Sequence, residues 1–198
     1  MRGVIVTGMA GALALAGTAV AGERVAFARQ LDGDPAAERV VLQTRACDGG
    51  ATCRRVAVRD GGRTVPVSTW TMTGYGYGAT AAARPVRLMA GGASQLLIRK
   101  DTVRGTGSSP AEITVVRWDG RRGRVMLRLS KTSRGLPPGF AYVAGIDARV
   151  LSGPRLLLTR EALNRADDPT CCSSGVRVRT WRARGDRLIV VSSRVRRR

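Results

Sequence analysis

The sequence contains no histidine. That absence removes imidazole as a general base, the Ser-His-Asp and Cys-His routes to an activated nucleophile, and the commonest zinc ligand. Lysine is nearly missing too, with Lys100 and Lys131 the only two. Carboxylates are scarce: 14 Asp and Glu stand against 34 Lys and Arg, for a formal net charge of +20. Those few acids are scattered singly over turn-like stretches, whereas a glycosidase needs two facing each other across a cleft. No enzyme is expected on these grounds. The alternative kept open is a secreted, carboxylate-dependent hydrolase whose site the sequence does not locate. After residue 21 the chain also lacks the run of about 20 apolar residues that a membrane-spanning helix demands.

What is present starts with residues 1–21. Met1-Arg2 supplies a small positive region, Val4 to Val20 is apolar without an acid, and Ala19-Val20-Ala21 has the small-x-small form of a peptidase site. This reads as a signal peptide cleaved before Gly22, and it predicts a secreted, periplasmic or cell-envelope location. Leu15-Ala16-Gly17 would open a lipoprotein box, but Thr18 stands where the lipidated cysteine belongs. The mature chain is therefore expected not to be lipidated.

Four cysteines, Cys47, Cys53, Cys171 and Cys172, are an even number in an exported chain, which favours disulfides over metal ligands. Cys47 and Cys53 flank the turn-rich Asp48-Gly49-Gly50-Ala51-Thr52 between two strand-like runs, so they are expected to pair across a hairpin. Adjacent Cys171 and Cys172 either close a vicinal ring or reach different partners.

Short β-type runs bounded by Gly, Pro or Asp dominate the rest. They predict an all-β fold of antiparallel sheets, a sandwich or small barrel-like body with two β subdomains. The expected division is an N-terminal domain over 22–131, a Pro/Gly linker over 132–139, and a C-terminal hairpin subdomain with a basic tail over 140–198. The hairpins Val115–Leu129 and Val176–Val191 look related, each running Val, Arg, Trp, turn, apolar strand. Met72–Ala83 and Thr102–Pro110 read as loops, and Thr159–Ala166 as a short helix.

Alternation within strands puts arginine on the exposed faces. Arg177, Arg179, Arg194, Arg196, Arg197 and Arg198 form the predicted polyanion-binding set. The preference for arginine over lysine often reflects a GC-rich genome, so the charge carries more information than its identity. Anionic cell-surface polymers or lipid headgroups are the expected partners, and nucleic acid is a further polyanion compatible with the charge. Trp70, Trp118 and Trp181 lie among arginines at strand ends, where tryptophan belongs to a core edge more often than to a stacking site. Arg184-Gly185-Asp186 matches an integrin tripeptide, and a hairpin turn accounts for it equally well.

Two segments resemble known families. Leu31-Asp32-Gly33-Asp34-Pro35-Ala36-Ala37-Glu38, followed by Val40-Val41-Leu42, is similar to the opening of an FG-GAP or VCBS-type repeat, whose Asp-Gly-Asp loop binds calcium ahead of a strand. The resemblance implies calcium as cofactor, with Asp32, Asp34 and Glu38 as metal ligands, although Ala36 stands where a third ligand is usual. No other cofactor is expected. Asp167 to Gly175, with Cys171-Cys172-Ser173, resembles the Cys-Cys-Pro-Ser segment of LppP/LprE-type envelope proteins of actinobacteria, with Ser173 replacing the proline. Together these readings predict an exported, non-catalytic envelope or extracellular β module that binds anionic surface polymers through arginine-rich faces.

Overall fold

A computed structural model describes residues 22–47, 52–72, 80–104, 107–131, 135–151, 153–168 and 172–197. The expected signal peptide, Cys171 and Arg198 lie outside them. Among the described residues all regular structure is β-strand. The strands are β1 (Gly22–Arg29), β2 (Glu38–Ala46), β3 (Thr52–Asp60), β4 (Arg63–Met72), β5 (Thr80–Val86) and β6 (Gln95–Arg104). They continue with β7 (Gly107–Trp118), β8 (Gly123–Ser130), β9 (Tyr142–Leu151), β10 (Leu156–Asn164), β11 (Gly175–Arg184) and β12 (Arg187–Arg197).

Each sheet is a four-stranded antiparallel meander in chain order: β1 to β4, β5 to β8, and β9 to β12. The sequence reading expected two subdomains. Residues 22–131 hold two sheets and residues 142–197 hold a third. Pro66 and Pro85 lie in β4 and β5, edge strands that can spare a ladder N–H, and Pro110 lies in the inner strand β7 ahead of its first pairing with β8 at Glu112.

The second sheet is the middle layer. On one face Leu96, Ile98, Val116 and Trp118 pack with Val40, Val56 and Val58 of the first sheet. On the other, Leu97, Ile113 and Leu129 pack with Ile146, Leu157 and Trp181 of the third. Strands buried on both faces need apolar residues at successive positions rather than at alternate ones, and Leu96-Leu97-Ile98 meets that need.

The first two sheets are built alike. Arg29 pairs with Glu38 and Val86 with Gln95. Arg39 pairs with Arg59, and Leu96 with Val116. Residues at one constant offset along the chain thus occupy matching places. The related hairpins seen in the sequence are also matched, since β7–β8 and β11–β12 each form the last pair of a sheet.

Two expectations are corrected, one strand is added, and the expected linker is described in part. Thr159–Ala166 is not a helix, because Thr159 to Asn164 belong to β10. β9 was not anticipated: Tyr142–Leu151 alternates poorly, yet it pairs along β10. The segment Thr102–Pro110 is mostly strand, with β6 running to Arg104 and β7 starting at Gly107. The described part of the expected linker, Gly135 to Gly139, is tied into the third sheet, as Leu136 and the adjoining Phe140 pack on the core and Gly135 accepts a bond from Arg177.

Candidate functional site

β11 carries Val176, Arg177, Val178 and Arg179, an alternation that the sequence reading oriented with its arginines outward. The structure turns it over. Arg177 is only 5% exposed and lies opposite Glu161 of β10, which is fully buried. Its Nη2 is 2.5 Å from Glu161 Oε2, and its Nη1 donates to the Gly135 carbonyl at 2.6 Å. Arg179 Nη2 sits 2.5 Å from the other Glu161 oxygen, and its guanidinium stacks 4.6 Å from the centre of the Trp181 ring. One buried carboxylate therefore holds two guanidiniums, and neither arginine belongs to an exposed polyanion surface. The physical reason is the cross-strand partner: a buried Glu requires a countercharge at its own depth.

The opposite face of the same sheet is where unpaired charge collects. Arg160 of β10 and Arg194 of β12 flank Val178 in one cross-strand row. Arg196 lies beside Val176 in the next row, and Arg149 beside Leu158 in a third. With Arg197 these residues line a groove of about 510 Å³ whose floor is Leu158, Val176 and Val178. All five arginines are exposed, and among the described residues none has an ion pair. The only acid in these rows is Asp147, across from Arg160, and it lies 3.8 Å from Arg99. Thus Arg194, Arg196 and Arg197 of the expected set come together, joined by Arg149 and Arg160. Sequence reasoning missed those two because their neighbours are set by strand register.

The acidic loop between β1 and β2 is the second candidate. Carboxylate oxygens of Asp32, Asp34 and Glu38 lie within 4.8 Å of one another. Asp32 Oδ1 accepts the Asp34 N–H at 3.1 Å, and Asp34 Oδ1 accepts the Ala36 N–H at 2.8 Å. These are Asx turns, which form without a metal. Glu38 is 1% exposed; its Oε2 accepts the buried Leu31 N–H at 2.5 Å, whereas Oε1 is buried with no partner. Burial pushes the Glu38 carboxyl above its ordinary value of 4.5; the backbone bonds oppose that shift and the charges of Asp32 and Asp34 add to it. A dication would supply the missing partner. Calcium takes about six to eight oxygens, so backbone carbonyls and water would have to complete the set.

The loop between β5 and β6 lies against this one, with Ser94 N–H donating to the Gln30 carbonyl at 3.1 Å. It repeats the geometry without acids: Gln95 Oε1 accepts the Leu88 N–H at 2.8 Å, and Gln95 Nε2 donates to Ala93 O at 3.2 Å.

Most other carboxylates are engaged. Glu112 is bound to Lys100 at 2.9 Å and Glu23 to Arg59 at 2.8 Å. Asp119 is held well below the usual carboxylate range by its bond from Arg124 and by the Arg122 N–H. Asp186, the last residue of Arg184-Gly185-Asp186, is 2.6 Å from Arg117 and 3.4 Å from Arg124, so it clasps the β7–β8 hairpin. Cys47 and Cys53 form a disulfide with Cα atoms 5.6 Å apart. Trp118 and Trp181 are core residues, whereas Trp70 borders a cavity.

No protein-family model matches this chain, and no curated protein or solved structure matches it either. The functional reading therefore rests on the sequence and the geometry.

Proposed function

We propose that this chain is an exported, non-catalytic envelope or extracellular β module that binds anionic polymers through the outer face of its third sheet. The observation that carries the reading is the groove of Arg149, Arg160, Arg194, Arg196 and Arg197, all exposed and without ion pairs among the described residues. Guanidiniums pair bidentately with phosphate and carboxylate, so the groove accepts either kind of polymer. A polyanion displaces its own condensed counterions on binding, so affinity must fall steeply with salt.

The test is calorimetric titration with polyphosphate and with polygalacturonate across a salt series. Affinity for both should fall linearly on a log–log plot, and replacing Arg194, Arg196 and Arg197 by Ser should weaken both about equally and flatten the slope. Affinity that ignores salt, or that survives for one polymer alone, would sink the reading.

A second reading is favoured by the unpartnered Glu38 Oε1: the β1–β2 loop holds calcium through Asp32, Asp34 and Glu38, with the module's stability as its role. Millimolar calcium should then raise the melting temperature of the wild type, as any ligand specific to the folded state does, and leave Glu38→Gln unmoved. Equal response in both proteins would remove the ion from the account.

A further inference from the structure

We propose that the cleft between the first and second sheets, floored by Trp70, binds a small organic carboxylate with a flat ring. The site is separate from the third-sheet groove and does not depend on it.

Where the first sheet packs on the second, its inward face is apolar at Val40 and Val56. Towards the far end of β2 the same face changes character. Arg24 pairs across from Leu42, Thr44 from Arg54, and Arg54 from Trp70. The core cannot continue through arginine and threonine, and among the described residues the second sheet contributes the small Ala81 to the lining. A cavity of about 360 Å³ opens there, within the range of roughly 300–1,000 Å³ typical of small-molecule sites.

The chemistry of the walls selects the ligand. Leu42 and Trp70 give an apolar surface fit for a ring. Arg24 and Arg54 bring positive charge, while Arg55 is held by Gln43 and the one acid among the lining residues, Glu23, is committed to Arg59 at 2.8 Å and to Gln43 at 2.6 Å. Arg24 has no partner among the described residues. The Trp70 indole N–H is buried without an acceptor, so the ring offers the cavity its apolar surface and no hydrogen bond. Lys100 Nζ lies 5.1 Å from the ring centre of Trp70 and is itself anchored by Glu112 at 2.9 Å. The indole is thus held in place by a cation, which leaves it preorganised as a stacking surface. Charge plus a flat apolar floor fits a ring-bearing carboxylate better than inorganic phosphate, which has no apolar part.

The experiment titrates the folded protein with 2-naphthoate, 2-naphthamide, D-glucuronate and inorganic phosphate, followed by tryptophan fluorescence and calorimetry. Saturable binding of 2-naphthoate at one site is expected, with D-glucuronate showing whether a sugar ring is accepted in place of an aromatic one. The neutral amide and phosphate should bind at least about ten-fold more weakly, as the loss of one charged contact or of the ring contact implies. Arg24→Ser, at an exposed edge-strand position, should weaken 2-naphthoate by about ten-fold, and Trp70→Phe should weaken it by less. Arg182→Ser, an equal loss of charge elsewhere on the surface, should change nothing. The proposal is overturned if 2-naphthoate does not saturate, if the amide binds as well as the acid, or if Arg24→Ser matches Arg182→Ser.

Discussion

The β1–β2 and β5–β6 loops solve one problem with two side chains. Both start from a buried leucine, Leu31 or Leu88, whose N–H must be satisfied away from water. Both reach the first residue of the next strand, Glu38 or Gln95, to accept that N–H. In the second loop the remaining polar atom, the Gln95 amide nitrogen, donates to Ala93 O. In the first loop the corresponding atom is a carboxylate oxygen that cannot donate unless protonated, and it has no partner. The latch therefore needs an acceptor and not a charge. The negative charge of Glu38 is surplus to the fold, and it is the surplus that calls for a proton or a cation.

The comparison can be broken hardest at the leucines. Leu31→Ala and Leu88→Ala should each cost about 2–5 kcal/mol in urea unfolding, since each empties a buried site. A much smaller loss for one would mean that the two loops are not equivalent. Next come the latches: Glu38→Ala and Gln95→Ala should each cost about 1–3 kcal/mol by leaving a buried N–H unsatisfied.

Glu38→Gln is the sharper test, because it copies the second loop into the first. Its cost should stay below about 1 kcal/mol at neutral pH if the new amide finds a carbonyl as Gln95 does. Its pH dependence separates the loops further. A folded-state pKa raised above 4.5 means that the native protein binds the proton more tightly than the unfolded chain does. The stability from Glu38 is then fully present below pH 4.5 and is lost as pH rises through the folded value. Subtracting the Glu38→Gln unfolding profile from that of wild type should isolate a term that declines with rising pH; a flat difference would mean the carboxylate is ionised at no cost. The smallest effect belongs to Asp34→Asn, which keeps the turn acceptor at an exposed position and should shift stability by less than about 0.5 kcal/mol.

The legible part of this molecule was its local part. Alternation and Gly-bounded turns pointed to strands such as Arg39–Thr44 and Arg124–Leu129, which lie within β2 and β8. Six residues apart, Cys47 and Cys53 pair as a hairpin predicts. Alternation says that a strand has two faces, but not which one is buried. Arg177 went inward because register sets it against Glu161, a residue whose burial no neighbour in sequence announces. β9 escaped for a related reason: Gly145, Asp147 and Arg149 interrupt its apolar residues, and only β10 beside it makes Tyr142–Leu151 a strand. Similarly, the Trp70 cleft draws Arg24, Arg54 and Ala81 from three strands in two sheets.

The burial of the second sheet on both faces bears on how the chain reaches its native state. Every pairing within a sheet joins strands adjacent in sequence, so each meander closes short loops and should form quickly. Speed within a sheet does not make it independent. Until β9 to β12 dock, Leu97, Ile113 and Leu129 face water beside the open edges of β5 and β8, the combination that invites pairing with another chain. The third sheet covers the apolar face that the second would otherwise expose, and a variant that slows its docking, such as loss of Glu161 between its two arginines, should lower the yield of soluble protein more than its equilibrium stability suggests.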